Sequence, residues 1–217
     1  MKSAIGSAVL TLSKAAYARL PHGWSTNNRR SDEEWDTPIG ETLRFGGDVM
    51  MRAEALQDAS GYRDDLIAGE EPELCVRLRQ AGWRIHRLDQ EMTLHDADMT
   101  YFSQWWKRTV RGGHAFAEGA WLHGAPPERH WVRETRRAWV WGIFLPLAIG
   151  VTMALVGPWG ALFALLYPMQ WLRLFQRNRS SSTSSFMLLG KFAEAWGALK
   201  FHLSRLRGVA GTIIEYK

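Results

Sequence analysis

Residues 138–172 read AWVWGIFLPLAIGVTMALVGPWGALFALLYPMQWL, a run without a single Asp, Glu, Lys, Arg or His. One helical crossing of a bilayer takes ~20 apolar residues, so this run exceeds one crossing. The Gly157-Pro158 pair near its middle is a natural turn. It divides the run into two helices, 139–156 and 159–172, each near the lower limit of a span. Arg129, Arg133, Arg136 and Arg137 precede the run, and Arg173, Arg177 and Arg179 follow it. Loop arginines stay on the cytoplasmic side, so both ends are expected there. Two crossings satisfy that charge pattern, one does not, and a shallow hairpin in a single leaflet satisfies it as well.

Outward from this block, a polar linker is expected at SSSTSS, residues 180–185. An amphipathic helix follows over 186–208, with Phe186, Leu189, Phe192 or Ala193, Trp196, Leu199, Leu203 and Leu206 at helical spacing and Lys191, Lys200, Arg205 and Arg207 beside them. That pattern predicts a helix lying in the membrane interface, apolar face down and cations toward anionic head groups. The alternative is a helix packed on the soluble domain. At the other end, residues 1–37 are helical or irregular: Ile5, Val9, Leu10 and Leu12 are interrupted by Lys2, Lys14 and Arg19, which suits an amphipathic helix rather than a signal peptide. The chain has 217 residues and one cysteine, Cys75, so it forms no intrachain disulfide and no cysteine-based metal cluster. Its net charge of +5 follows the membrane block rather than a recognition helix, which argues against nucleic acid as a partner.

Residues 42–101 read as a compact α/β segment. Leu43-Arg44-Phe45 is a candidate strand ending in Gly46-Gly47-Asp48, Val49 to Arg52 continue it, and a helix spans 53–59. Paired glycines let a backbone pass close to a ligand because no Cβ intrudes, though a tight structural turn has the same composition. In AGEEPELCVRLRQAGW, residues 68–83, Pro72 suits a first helical turn, Leu74, Leu78 and Ala81 form a buried stripe, and Gly82 ends the helix. Glu70 and Glu71 therefore open the helix, where backbone amides favour a carboxylate, whether as a cap or as a proton acceptor. Residues 83–88 form a short strand leading to His95, whose neighbouring carboxylates are ligand types a divalent metal uses. Asp96 and Asp98 read as caps of the next helix, 101–113, which carries Phe102, Trp105, Trp106 and Val110 on one side and Lys107, Arg108 and Arg111 elsewhere.

The order of these motifs resembles the C-terminal half of family 2 glycosyltransferases of the GT-A, nucleotide-diphospho-sugar transferase-like fold. It comprises a Gly-Gly loop, GYRDDLIAGEEPELCVRLRQAGW, LHDADM, and a helix containing QWWKR, within residues 34–130. The resemblance implies a partial GT-A domain over 38–130, followed by transmembrane or membrane-embedded helices. Gly46, Gly47 and Asp48 correspond to the glycine loop between donor and acceptor. Glu70 and Glu71 correspond to the family's Glu-Asp pair, whose second acid is the general base, here Glu71. His95 corresponds to the histidine that helps hold a divalent ion, Mg2+ or Mn2+, on the donor diphosphate. Gln104 to Arg108 approximate the QxxRW box with Arg and Trp out of register, which argues against processive polymerisation; the basic side of this helix suits a phosphate-bearing substrate or lipid head groups, and Arg108 is the candidate substrate contact.

The family's nucleotide-binding βαβ region and its metal-binding DxD have no counterpart in residues 1–37. The expectation is therefore a fragment, or a degenerate or partner-dependent form, inactive by itself and dependent on a DxD half for its metal. Within that frame the chain is expected at the cytoplasmic membrane, its catalytic part on the cytoplasmic side. A nucleotide-sugar donor and a glycan or lipid-linked acceptor would be its partners. The alternative is a non-catalytic membrane-associated module that binds anionic lipid or a protein partner.

Overall fold

In the computed structural model the chain forms two compact units, Met1–Thr100 and Tyr101–Lys217. The structure describes residues 8–12 as backbone, and residues 38–46, 49–89 and 101–208.

The first unit holds a sheet of four strands, β1 (Ala8–Leu12), β2 (Gly40–Thr42), β3 (Val49–Met50) and β4 (Arg84–Leu88), in the order β2-β4-β1-β3. Strand β1 runs parallel to β4, with Ala8 opposite Arg84 and Leu12 opposite Leu88. On the far side of β4, β2 pairs antiparallel with Thr42 opposite Ile85, and β3 pairs antiparallel with β1. Residues 8–12 thus correct the amphipathic helix expected near the N-terminus. Val9 and Thr11 are β-branched and suit a pleated surface, and pairing with β1's two neighbours outweighs a weak helical pattern. The strand expected at 43–45 lies instead at 40–42, because the register with β4 ends at Thr42.

Helices α1 (Ala53–Asp58) and α2 (Glu70–Gln80) complete this unit. Leu74, Cys75 and Leu78 of α2 form a core with Phe45, Ala55, Ala59 and Ile85. Full burial of leucines such as 74 and 78 contributes about 1.5–3 kcal/mol each. Ala81, expected in that stripe, is exposed at the helix end. Gly82 closes the helix at φ 86°, a left-handed conformation that favours glycine.

The second unit is entirely helical among its described residues. It comprises α3 (Phe102–His123), α4 (Val132–Trp139), a π-helical stretch (Val140–Phe144), α5 (Leu145–Val156), a 3-10 stretch (Gly157–Leu165), α6 (Leu166–Asn178) and α7 (Ser181–Leu206). The α3 helix does not stop near Gly113, as its glycines suggest. A Cβ at Gly113 would strike the backbone of Glu194, and one at Gly197 would strike that of Val110, so these glycines serve close helix approach rather than termination. Helices α3 and α7 run parallel: the Trp105 and Phe186 rings meet at 4.9 Å, and those of His114 and Phe201 at 5.3 Å. The expected polar linker is the first turns of α7. Ser180 is its N-cap, accepting from the Thr183 amide at 3.3 Å, and Ser184 is buried.

The apolar run folds back on itself where the sequence places the turn. Gly157 adopts φ 70°, ψ −151°, the backbone of Gly160 lies against Thr152 and Met153, and the Tyr167 hydroxyl donates to the Trp141 carbonyl at 2.8 Å. The stretch Val132–Asn178 is long and apolar enough to cross a membrane, and 6% of its most apolar window is buried. Helix α7 packs along one face against α3 and leaves another face exposed. Gly190, Ala193, Gly197, Ala198 and Phe201 are buried, whereas Leu189, Trp196 (49% exposed), Leu203 and Leu206 of the anticipated stripe are not.

The described elements are thus predominantly helical, with one small sheet and a membrane-type helical stretch. A sheet of this size with one parallel pair does not itself establish the GT-A arrangement expected for residues 38–130.

Candidate functional site

Helix α2 opens at Gly69, whose φ of 87° reverses the chain and brings Glu70 and Glu71 into the first turn, both half-buried. Pro72 and Glu73 behind them are buried, and Glu73 is only 1% exposed. The Glu73 carboxylate accepts from Arg77 Nη2 at 2.6 Å and Nε at 2.9 Å. The same guanidinium donates to the carbonyls of Ala59 and Gly61, the latter at 2.7 Å. A buried ion pair with its remaining donors satisfied fixes geometry more than it adds net stability. Here it ties the acidic turn to the loop that follows α1.

That loop delivers Tyr62, a residue the sequence reading does not single out. Partial burial, followed by the negative charges of Glu71 and Glu70, raises its hydroxyl above the usual tyrosine range. Tyr62 is therefore an electrostatic neighbour of both acids, while 43% of it stays exposed. Nothing in the spacing of GYRDDLIAGEE signals this proximity, because the connection is an irregular loop.

The segment after β2 reaches the same helix. Arg79 donates to the Leu43 carbonyl, and four residues earlier along α2 Cys75 Sγ accepts from the Phe45 amide at 3.3 Å. The chain thus climbs α2 toward its acidic end, and Gly46 follows directly. Cys75 lies one helical turn after Glu71, on the same face. Burial pushes the Cys75 thiol up to about 12, so it remains neutral and serves to anchor the Phe45–Gly46 segment.

The structure therefore brings Glu70, Glu71, Tyr62 and the Phe45–Gly46 segment to one region of α2. Gly47, Asp48 and His95 lie outside the described residues, as do Asp96 and Asp98. Arg108 stands half-buried on α3, in the other unit. Among the described residues no group of three or more His, Cys, Asp or Glu gathers into a metal site. Chemically, the arrangement offers two carboxylates and a phenol at a partly exposed surface on the helix that also anchors the Phe45–Gly46 segment. A hydroxyl-bearing ligand could donate to the carboxylates there and rest against the tyrosine ring.

Comparison of the chain with protein-family models, with curated proteins and with solved structures finds no match.

Proposed function

We propose that this chain is the acceptor-side part of a membrane-attached inverting glycosyltransferase of the family 2 type, with Glu71 as the general base. The observation that carries this reading is the meeting of the acid pair, Tyr62 and the glycine-bearing segment on α2. In the proposed step an acceptor hydroxyl gives its proton to Glu71 as its oxygen forms a bond to the anomeric carbon. The bond from that carbon to the donor's diphosphate breaks, and the nucleoside diphosphate leaves with the electron pair, inverting the centre.

Glu70 holds the acceptor by a second hydrogen bond, and Tyr62 lines it with an amphipathic ring. The resemblance assigns Gly46, Gly47 and Asp48 to the border of the donor. His95 would hold the divalent metal, Mg2+ or Mn2+, which when bound offsets charge on the leaving diphosphate. The acceptor is a glycan or lipid-linked hydroxyl at the cytoplasmic face, the side that flanking arginines favour.

The test is sugar transfer by membranes containing the chain together with a nucleotide-sugar-binding half supplied in trans. Glu71→Gln is expected to abolish turnover while leaving donor binding intact, and undiminished turnover would remove Glu71 from the role. Sugar transfer that requires both the chain and that half separates this reading from a non-catalytic membrane module. The exposed Leu189, Trp196 and Leu203 on α7 favour the module, which requires no sugar-nucleotide binding.

A further inference from the structure

The base of the apolar hairpin carries an arrangement that sugar transfer does not use. Arg133 and Arg137 are four apart on α4, and Arg173 and Arg177 are four apart on α6, so each pair lies along one helical face. The Tyr167–Trp141 hydrogen bond sets the pairing of the two arms. Continued toward the base, that register puts residue 137 level with residue 171 and residue 133 level with residue 175. The two arginine pairs thus meet across the hairpin, where Arg137 is partly desolvated and lies near the like charge of Arg133, the opposite charge of Glu134, and the like charges of Arg177 and Arg173. All four arginines are exposed. Lys191 of α7 is already bridged to Glu194 and adds no free cation to them.

Their height on the hairpin identifies the solvent they meet. They border the uncharged run 138–172, next to a belt of Trp139, Trp141, Tyr167 and Trp171. Trp171 stacks on Phe175 with ring planes 5° apart, and Tyr167 lies 6.0 Å from Trp141. Tryptophan and tyrosine at the ends of an apolar block settle at head-group depth. Self-repelling guanidinium groups at that depth are stabilised by an anion with several oxygens and more than one charge.

We propose that Arg133, Arg137, Arg173 and Arg177 form a clamp for the phosphomonoester head group of a membrane lipid, each arm of the hairpin supplying one pair. A phosphomonoester carries up to two charges and three free oxygens, enough to engage guanidinium groups from both arms. A phosphodiester head group carries one charge and matches them less well. The clamp depends on the hairpin lying in a bilayer, and it stands or falls independently of whether the chain transfers sugar.

The experiment reconstitutes the full chain in phosphatidylcholine nanodiscs doped either with phosphatidic acid or with phosphatidylglycerol at matched total charge. Retained lipid is measured by native mass spectrometry. Phosphatidic acid is expected to be retained about tenfold over phosphatidylglycerol. The double variant Arg137→Gln/Arg173→Gln is expected to erase that preference, as is Arg133→Gln/Arg177→Gln, which serves if the first fails to fold. Lys200→Gln should leave the preference unchanged. Equal retention of the two lipids would overturn the clamp. So would full preference in Arg137→Lys/Arg173→Lys, which keeps charge but loses the planar fork. Displacement of phosphatidic acid by inorganic phosphate at equal concentration would assign the site to a soluble phosphate and overturn the lipid.

Discussion

Glu73, rather than the two acids before it, is the carboxylate on which the first unit's geometry depends. It is almost wholly buried, and its partner Arg77 reaches on to two carbonyls of the loop after α1. Glu73→Ala leaves that guanidinium without its counter-charge, so we expect a loss of about 3–5 kcal/mol, read from denaturant unfolding of the detergent-solubilised chain. Cys75 makes a second residue-level prediction. Its buried thiol is held protonated up to about 12, whereas in the unfolded chain it ionises near ~8.5. Its contribution is therefore complete below the unfolded value and is lost as pH rises from there toward the folded one. Alkaline unfolding should be less steep in Cys75→Ala, and alkylation of native Cys75 should await unfolding. Tyr62 tests the site itself. Removing the two negative charges with Glu70→Gln/Glu71→Gln should lower its hydroxyl pKa, followed by NMR of labelled tyrosine; an unmoved titration would separate the phenol from the acids.

At the scale of elements, two contacts decide how helices and strands associate. Strand β2 is fastened to β4 by the Glu41–Arg84 pair, with Arg84 Nε donating to Glu41 at 3.1 Å. That bond holds the Glu41 carboxyl below its usual range. A depressed carboxylate contributes fully above its unfolded value and loses that contribution as pH falls through its folded one. Glu41→Gln lacks that contribution at every pH, so its stability should fall less steeply with acid, while its acid unfolding, monitored by circular dichroism, begins at no lower pH than that of the parent chain. In the second unit, α3 and α7 approach through Gly113, Gly197 and the alanines beside them. Gly197→Leu should cost about 1–3 kcal/mol by overpacking, seen as a lower melting temperature, whereas Gly150→Leu, where a Cβ meets open space, should cost much less. The boundaries of α2 were legible from Pro72 and Gly82, because caps and breakers act locally. The length of α3 was not, because a glycine that ends a helix and one that admits a neighbour have the same sequence.

For the whole molecule, the reversal at Gly157 places both flanks of the apolar run at the hairpin's base. Single cysteines introduced at Arg129 and at Arg179 in a Cys75→Ala background should therefore be labelled from the same side of sealed vesicles by a membrane-impermeant maleimide. Labelling from opposite sides would mean one crossing in place of a hairpin. A cysteine at Gly157 extends the same measurement: access from the opposite side means a spanning hairpin, and protection from both means one embedded in a leaflet.

What the sequence determined by itself was the local and the compositional: an uncharged run too long for one crossing, its turn at Gly157-Pro158, its arginine flanks, and an acidic opening to α2. Charge, helix caps and chain breakers act within a few residues, so they are readable in order along the chain. The tertiary structure decided what depends on partners far apart in sequence. It made residues 8–12 a strand through pairing with 84–88, turned a serine-rich stretch into the start of α7, and brought Tyr62 to the acid pair. Each of those outcomes rests on burial and pairing between segments whose separation along the chain carries no local mark.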